Sequence, residues 1–290
     1  MNDVEVVLAG LCTVDLVQRV AELPGPGEKT QSASVELAAG GPAANAAVTA
    51  ASLGAATTLH TVLGRHPLAG FARDDLAAHG VRVLDADPER DRPPPVSAAA
   101  VRERDGERTV VSHNAADVLV DASAGLAVTG AVLVDGHHPR LALAVAAAAR
   151  RAGVPVLLDA GSWKPVLADL LPLVDVCACS SSFRLPDHPE AAATERALHR
   201  LGVALVTRTA GAAPVRWSGR DGGAGERAVP RVPARDTLGA GDVWHGALLF
   251  GVARLGRVPT AEDLPELIDA ANEVAARRVS RVGARAWLSG

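Results

Sequence analysis

The chain has 290 residues, 48% of them hydrophobic, which is enough for a sizeable buried core. Its formal net charge is −4 and its arginines are scattered rather than gathered among aromatics, so neither nucleic acid nor an anionic membrane is the expected partner and a small molecule is. Cys12, Cys177 and Cys179 cannot all pair within the chain and read as reduced and structural; the first residues carry acids where a signal peptide carries bases, and no apolar run is long enough for a bilayer, so a cytoplasmic location is expected.

In chain order, apolar runs bounded by Gly, Pro or Asp recur at 4–11, 57–63, 131–134, 154–159, 174–179 and 203–207, and these read as buried strands. Alanine-rich stretches at 43–53, 69–79, 140–152 and 190–201 alternate with them. Each ends on a glycine suited to a helix C-terminus: Gly54, Gly80, Gly153 and Gly202. The alternation predicts an α/β fold, with a doubly wound, mostly parallel sheet between two helical layers. Two polar segments, 13–37 and 91–114, interrupt it. They read either as a small β-sheet lid over the carboxyl ends of the strands or as ordinary solvated hairpins.

The chemistry concentrates in the run Asp236-Thr237-Leu238-Gly239-Ala240-Gly241-Asp242 and the apolar stretch after it. Glycines permit close backbone approach. If Ala240 to Asp242 open a helix, their N–H groups and the helix dipole make an anion site, and Asp242 beside it could accept the proton of an attacking hydroxyl. On the residues alone, Asp242 could equally be an acid that complements the helix dipole. The chain has no Gly-x-x-x-x-Gly-Lys-Ser/Thr loop, and Trp244 stands where a dinucleotide fingerprint needs its third glycine, so P-loop enzymes and dehydrogenases lose support. A second run, Ala39-Gly40-Gly41-Pro42-Ala43-Ala44-Asn45, puts proline just inside a helix start after two glycines. Gly40 and Gly41 leave room for a polyol, and Asn45 can donate to and accept from hydroxyls.

The first run resembles the C-terminal signature of the PfkB (ribokinase-like) family of carbohydrate and nucleoside kinases, and the second is similar to the family's N-terminal signature. The resemblance covers essentially the whole chain, and so implies a single ribokinase-like domain over 1–290 with lid segments at about 13–37 and 91–114. It implies that Asp242 is the catalytic base and that Gly239, Ala240 and Gly241 form the anion hole. Asp15, Gly40, Gly41 and Asn45 would hold the substrate. Thr207, Gly211 and Asn272, with Gly239 and Gly241, would hold ATP, and Asp236 with carbonyls at 280–283 would hold a monovalent cation such as K+. A homodimer through the lid is implied as well. The alternative for Asp236 is a structural turn cap.

Two departures stand out. Ser180-Ser181-Ser182-Phe183 replaces the Asn-x-x-Glu of many members, as in ketohexokinase-like ones, so Mg2+ would rest more on water and ATP phosphates; and Thr209 stands where a glycine is usual. Lys29, His113, Asn114, His137 and His138 are candidates for the sugar pocket, and a lysine with histidines would tolerate an anionic group. With no tyrosine and three phenylalanines, a purine clamp is poorly supplied. The expected function is that of an ATP-dependent sugar kinase acting on a ketose, pentose or sugar acid. The alternatives are a catalytically weak sugar-binding sensor and a nucleoside kinase.

Overall fold

Strands that are apolar at every position must be covered on both faces, and this requirement organises the computed structural model, which describes residues 4–113, 120 and 126–288. The first half runs β1 (Glu5–Ala9), β2 (Thr13–Val20), β3 (Ser34–Gly40), α1 (Pro42–Ser52), β4 (Ala56–Thr61), α2 (Pro67–Ala78), β5 (Val81–Asp85), β6 (Val96–Arg102) and β7 (Arg108–His113). The second runs β8 (Ala131–Val134), α3 (Pro139–Ala152), β9 (Val156–Ala160), α4 (Leu167–Leu170), β10 (Val176–Cys179), α5 (Ala191–Arg200), β11 (Leu205–Ala210), β12 (Ala213–Gly219), β13 (Ala224–Arg227), α6 (Ala240–Leu255) and α7 (Leu264–Val279). No helix among the described residues is long and apolar enough to cross a membrane.

The main sheet has the order β13-β12-β11-β10-β9-β8-β1-β4-β5 and is parallel except where β12 and β13 add antiparallel at one edge. Successive side chains feed opposite cores. Val6 and Leu8 of β1 pack with α1, α2, α6 and α7, whereas Val7 and Ala9 pack with α3, α4 and α5. This is the doubly wound, three-layer α/β arrangement expected from the sequence, with the ends of the expected strands and helices shifted by at most three residues. The antiparallel edge hairpin was not foreseen, because 213–227 is mostly polar and glycine-rich rather than apolar.

A second, four-stranded sheet, ordered β3-β2-β6-β7, is built from the two segments that break the alternation. It is antiparallel at its edges, while β2 and β6 pair in parallel. Its inner face buries Val17, Ala99 and Val101 against Leu238.

Strand order reverses between β1 and β8, the switch point where open α/β sheets form a crevice at their carboxyl ends. Buried Asp135, just past β8, bridges that crevice by accepting from Leu11 N (2.8 Å) and His137 N (2.9 Å). Only a glycine fits opposite it, since a Cβ on Gly10 would lie 2.3 Å from its carboxylate.

Candidate active site

Two helix N-termini converge over this crevice, each led in by a left-handed glycine. Gly41 (φ 90°) precedes α1, and Gly239 (φ 71°) precedes α6. Pro42 occupies the first position of α1, where its missing N–H costs nothing. The helices touch closely: a Cβ on Gly246 would lie 2.4 Å from Ala46 O and 2.8 Å from Thr49 Cβ. That contact brings Asn45, in the first turn of α1, to Asp242, in the first turn of α6. Asn45 Nδ2 donates to Asp242 Oδ2 over 2.9 Å.

Asp242 is half-buried, and its pKa is raised to about 7. Burial is the largest cause, followed by the charge of Asp159 and, more weakly, of Asp15; the Asn45 amide and His245 pull the other way. Asp159, next to last in β9, lies 2.9 Å from Nδ1 of His245, one turn beyond Asp242, with both side chains buried. Their mutual attraction holds Asp159 below the usual carboxylate range and His245 above the usual imidazole one, against burial.

Asp242 faces a cleft of about 240 Å³ that it shares with Asp15, Gly41, Asn45, His137 and Gly239. Thr13 Oγ1 donates to Asp15 Oδ1 (2.5 Å), and burial raises the Asp15 pKa. Gly40 lies beneath Asp15, where a Cβ would overlap its carboxylate. Ser97 of β6 and Ser112 of β7 roof the cleft from the small sheet. In the turn that opens α6, Ala240 N–H donates to Thr237 O (3.3 Å), leaving Gly241 and Asp242 as first-turn donors with no acceptor within the helix. Arg108 of β7 reaches across to donate to Thr237 Oγ1 over 2.9 Å.

Six of the residues named from sequence therefore meet in one cleft, and others lie elsewhere. Lys29 is exposed in the turn between β2 and β3 and does not line the cleft. Asn114 lies outside the described residues. Asn272 is buried with its amide engaged, accepting from Trp244 Nε1 (2.8 Å) and donating to Ala228 O (3.1 Å), so it anchors α7 to α6. Thr207 is buried in β11 with no partner for its hydroxyl, and Gly211 (φ 61°) is exposed in the β11–β12 turn. Phe183, where many relatives place a glutamate, is buried among Leu185, Leu198 and other core residues.

The K+ expectation at Asp236 does not fit the residues present. The carboxylate is buried, pairs with Arg19 Nη2 (2.7 Å) and Arg278 Nη2 (3.4 Å), and accepts from Leu238 N and Gly283 N. Sequence reasoning missed both arginines, and it missed Arg285, whose Nη1 donates to Asn45 Oδ1 (3.4 Å) while its Nη2 donates to Ala39 O and Asp75. Arg285 fixes which way the Asn45 amide points. These partners are 42 to 246 positions apart, and no local spacing signals them; the Asp159–His245 pair was missed for the same reason.

A doubly wound sheet whose crevice holds a raised carboxylate at a glycine-opened helix start is the frame of a phosphotransferase for small hydroxylated molecules. The comparisons agree: the pfkB family carbohydrate kinase profile matches residues 3–289, and the chain belongs to that family of ATP-dependent carbohydrate kinases. A ribokinase from Mus musculus is 26% identical, the match covering 96% of this chain and 90% of the mouse protein. Among solved structures, Arabidopsis thaliana ribokinase complexed with ribose and ATP superposes with a TM-score of 0.76 at 20% identity, covering 99% of each chain. Ribokinase from Giardia lamblia gives 0.79 at 17% identity, covering 98% of this chain and 95% of the other. At such identities these two likenesses speak to the fold.

Proposed function

We propose that this carbohydrate kinase transfers the γ-phosphate of ATP to a hydroxyl of a monosaccharide-sized substrate, with Asp242 as general base. The observation that carries this reading is the position of Asp242: its carboxylate faces the cleft, is held by Asn45, has a pKa near 7, and stands in the first turn of α6. A base with that pKa takes a hydroxyl proton near neutrality, and the N–H groups of the same turn stabilise charge on the transferring group. Asp15 supplies acceptors, and Asn45 beside Asp242 a donor, for sugar hydroxyls in the same cleft. The cleft is below the roughly 300–1,000 Å³ of drug-sized pockets and has no Phe, Tyr or Trp among the described residues of its lining, which favours a sugar over a nucleoside.

ATP would lie toward α6 with Thr207 and Gly211 on its flank. No group of three or more His, Cys, Asp or Glu capable of holding a metal occurs among the described residues, so Mg2+ would be held mainly by nucleotide phosphates and water. Bound there, it neutralises charge on the phosphates. The small sheet acts as a lid. A row of apolar side chains, Leu37, Leu16, Ala98 and Val111, crosses its outer face through paired positions, with Leu37 and Val111 exposed; a second copy of the chain covers it.

Replacing Asp242 with Asn tests the assignment. Turnover of ATP with a panel of ketoses, pentoses, sugar acids and nucleosides should disappear while sugar and nucleotide binding persist; retained turnover in the variant refutes the base. Sedimentation of Val111→Asp tests the dimer, which should dissociate.

A further inference from the structure

Beside the anion-holding turn the chain supplies its own cation. Arg278, in the last turn of α7, is 3% exposed. Its Nη1 donates to the carbonyl oxygens of Asp236 and Arg281, each at 3.3 Å, and its Nη2 lies 3.4 Å from Asp236 Oδ2. Arg19, from β2, takes the same Oδ2 at 2.7 Å. Carboxylate and carbonyl oxygens of this kind, gathered around one point, are what a dehydrated monovalent cation binds. Here a planar guanidinium with several donors holds them instead.

The charges leave no vacancy for an ion. Asp236 and Glu36 are the acids facing Arg278, and Arg19 is the other base. Two carboxylates meet two guanidiniums, and a further cation would face both arginines at short range. Glu36 itself accepts from Ala284 N at 2.7 Å, which ties the loop after α7 into the same cluster.

We propose that Arg278 takes the place of a monovalent cation beside the anion hole, so that phosphoryl transfer by this chain requires neither K+ nor Na+. The reading rests on the kinase function proposed above. Arg278 is a positioning residue: it holds Asp236, whose Oδ1 accepts from Leu238 N (3.0 Å), and thereby fixes the turn that opens α6.

Two measurements on the full chain test this. Initial rates with Mg-ATP and sugar should be the same in choline chloride, KCl and NaCl at equal ionic strength, and activation of about ten-fold or more by K+ overturns the proposal. Melting curves need no turnover: KCl in place of choline chloride should leave the wild type unshifted, and specific stabilisation by K+ overturns the proposal as well. Should no sugar be turned over, unshifted melting curves uphold the filled cation site while the kinase reading alone fails. Arg278→Gln should lower kcat by about ten-fold or more with a smaller change in KM, and KCl or millimolar guanidinium should restore part of it. An unchanged kcat in that variant removes the positioning role. If the variant does not fold, the wild-type rates and melting curves decide.

Discussion

The amide of Asn45 and the carboxylate of Asp242 meet at 2.9 Å, joining the first turns of two helices that start 198 residues apart, at Pro42 and Ala240. The bond depends on a bare backbone at Gly246, which lets α1 and α6 approach. Gly246→Ala should therefore cost about 1–3 kcal/mol of stability, because its Cβ meets backbone that cannot give way, and it should lower kcat by pulling the pair apart. Gly70→Ala in α2, whose Cβ meets nothing within 4 Å, should instead be neutral or stabilising by up to about 1 kcal/mol. Urea denaturation with steady-state kinetics distinguishes the two.

Activity should depend on one ionisation near neutrality. Asp242 must be unprotonated to accept the hydroxyl proton, and its pKa lies near 7, so kcat/KM should fall about ten-fold per unit as pH drops below that value. A profile flat down to pH 5 contradicts the assignment.

The same shift makes a statement about stability. The folded pKa of Asp242 lies above the ordinary value of 3.8 that it has in the unfolded chain, so the folded state holds this proton more tightly and ionisation destabilises it. The cost is absent below about pH 4, grows through the interval to 7 and is complete above it. Asp242→Asn removes it: the variant should be more stable than wild type by about 1–2 kcal/mol at pH 8, after discounting for partial exposure, with the advantage vanishing near pH 4. Paired thermal melts at the two pH values measure this.

Asp159 and His245 should move the activity profile in opposite directions. Asp159 raises the Asp242 pKa and His245 lowers it. Asp159→Asn should shift the kcat/KM midpoint down, and His245→Asn should shift it up. The latter also leaves Asp159 buried without its partner, at a cost of about 3–5 kcal/mol. Shifts of the same sign in both variants contradict this electrostatic account.

The layers were legible in the sequence because their signals are local. Val6 to Ala9 is apolar at every position, as a strand buried on two faces must be, and Gly54, Gly80, Gly153 and Gly202 mark helix ends within their own turns. Asp242, Asn45 and Gly41 stood out for a similar reason, since each stands in a short run of recognisable chemistry, whereas Asp15 was singled out only by the family resemblance. What gives those residues their properties was not. Arg19 reaches Asp236 across 217 positions and Arg285 reaches Asn45 across 240, and an arginine that will be buried looks in sequence like one that will be solvated. Asn272, expected at the nucleotide, has its amide bonded to Trp244 of α6 and to Ala228, partners that its local sequence does not signal.

Arg108 gives the small sheet a part in timing. Its bond to Thr237 Oγ1 spans from β7 to the turn that opens α6, so moving the proposed lid away would also remove a support from the N–H groups proposed to hold phosphate. With the small sheet as the proposed lid, closure and readiness for transfer would be two sides of one equilibrium, each favouring the other by the same free energy. An enzyme wired in this way would guard its nucleotide against idle hydrolysis, because the arrangement that excludes water would also be the one that completes the proposed phosphate-holding turn.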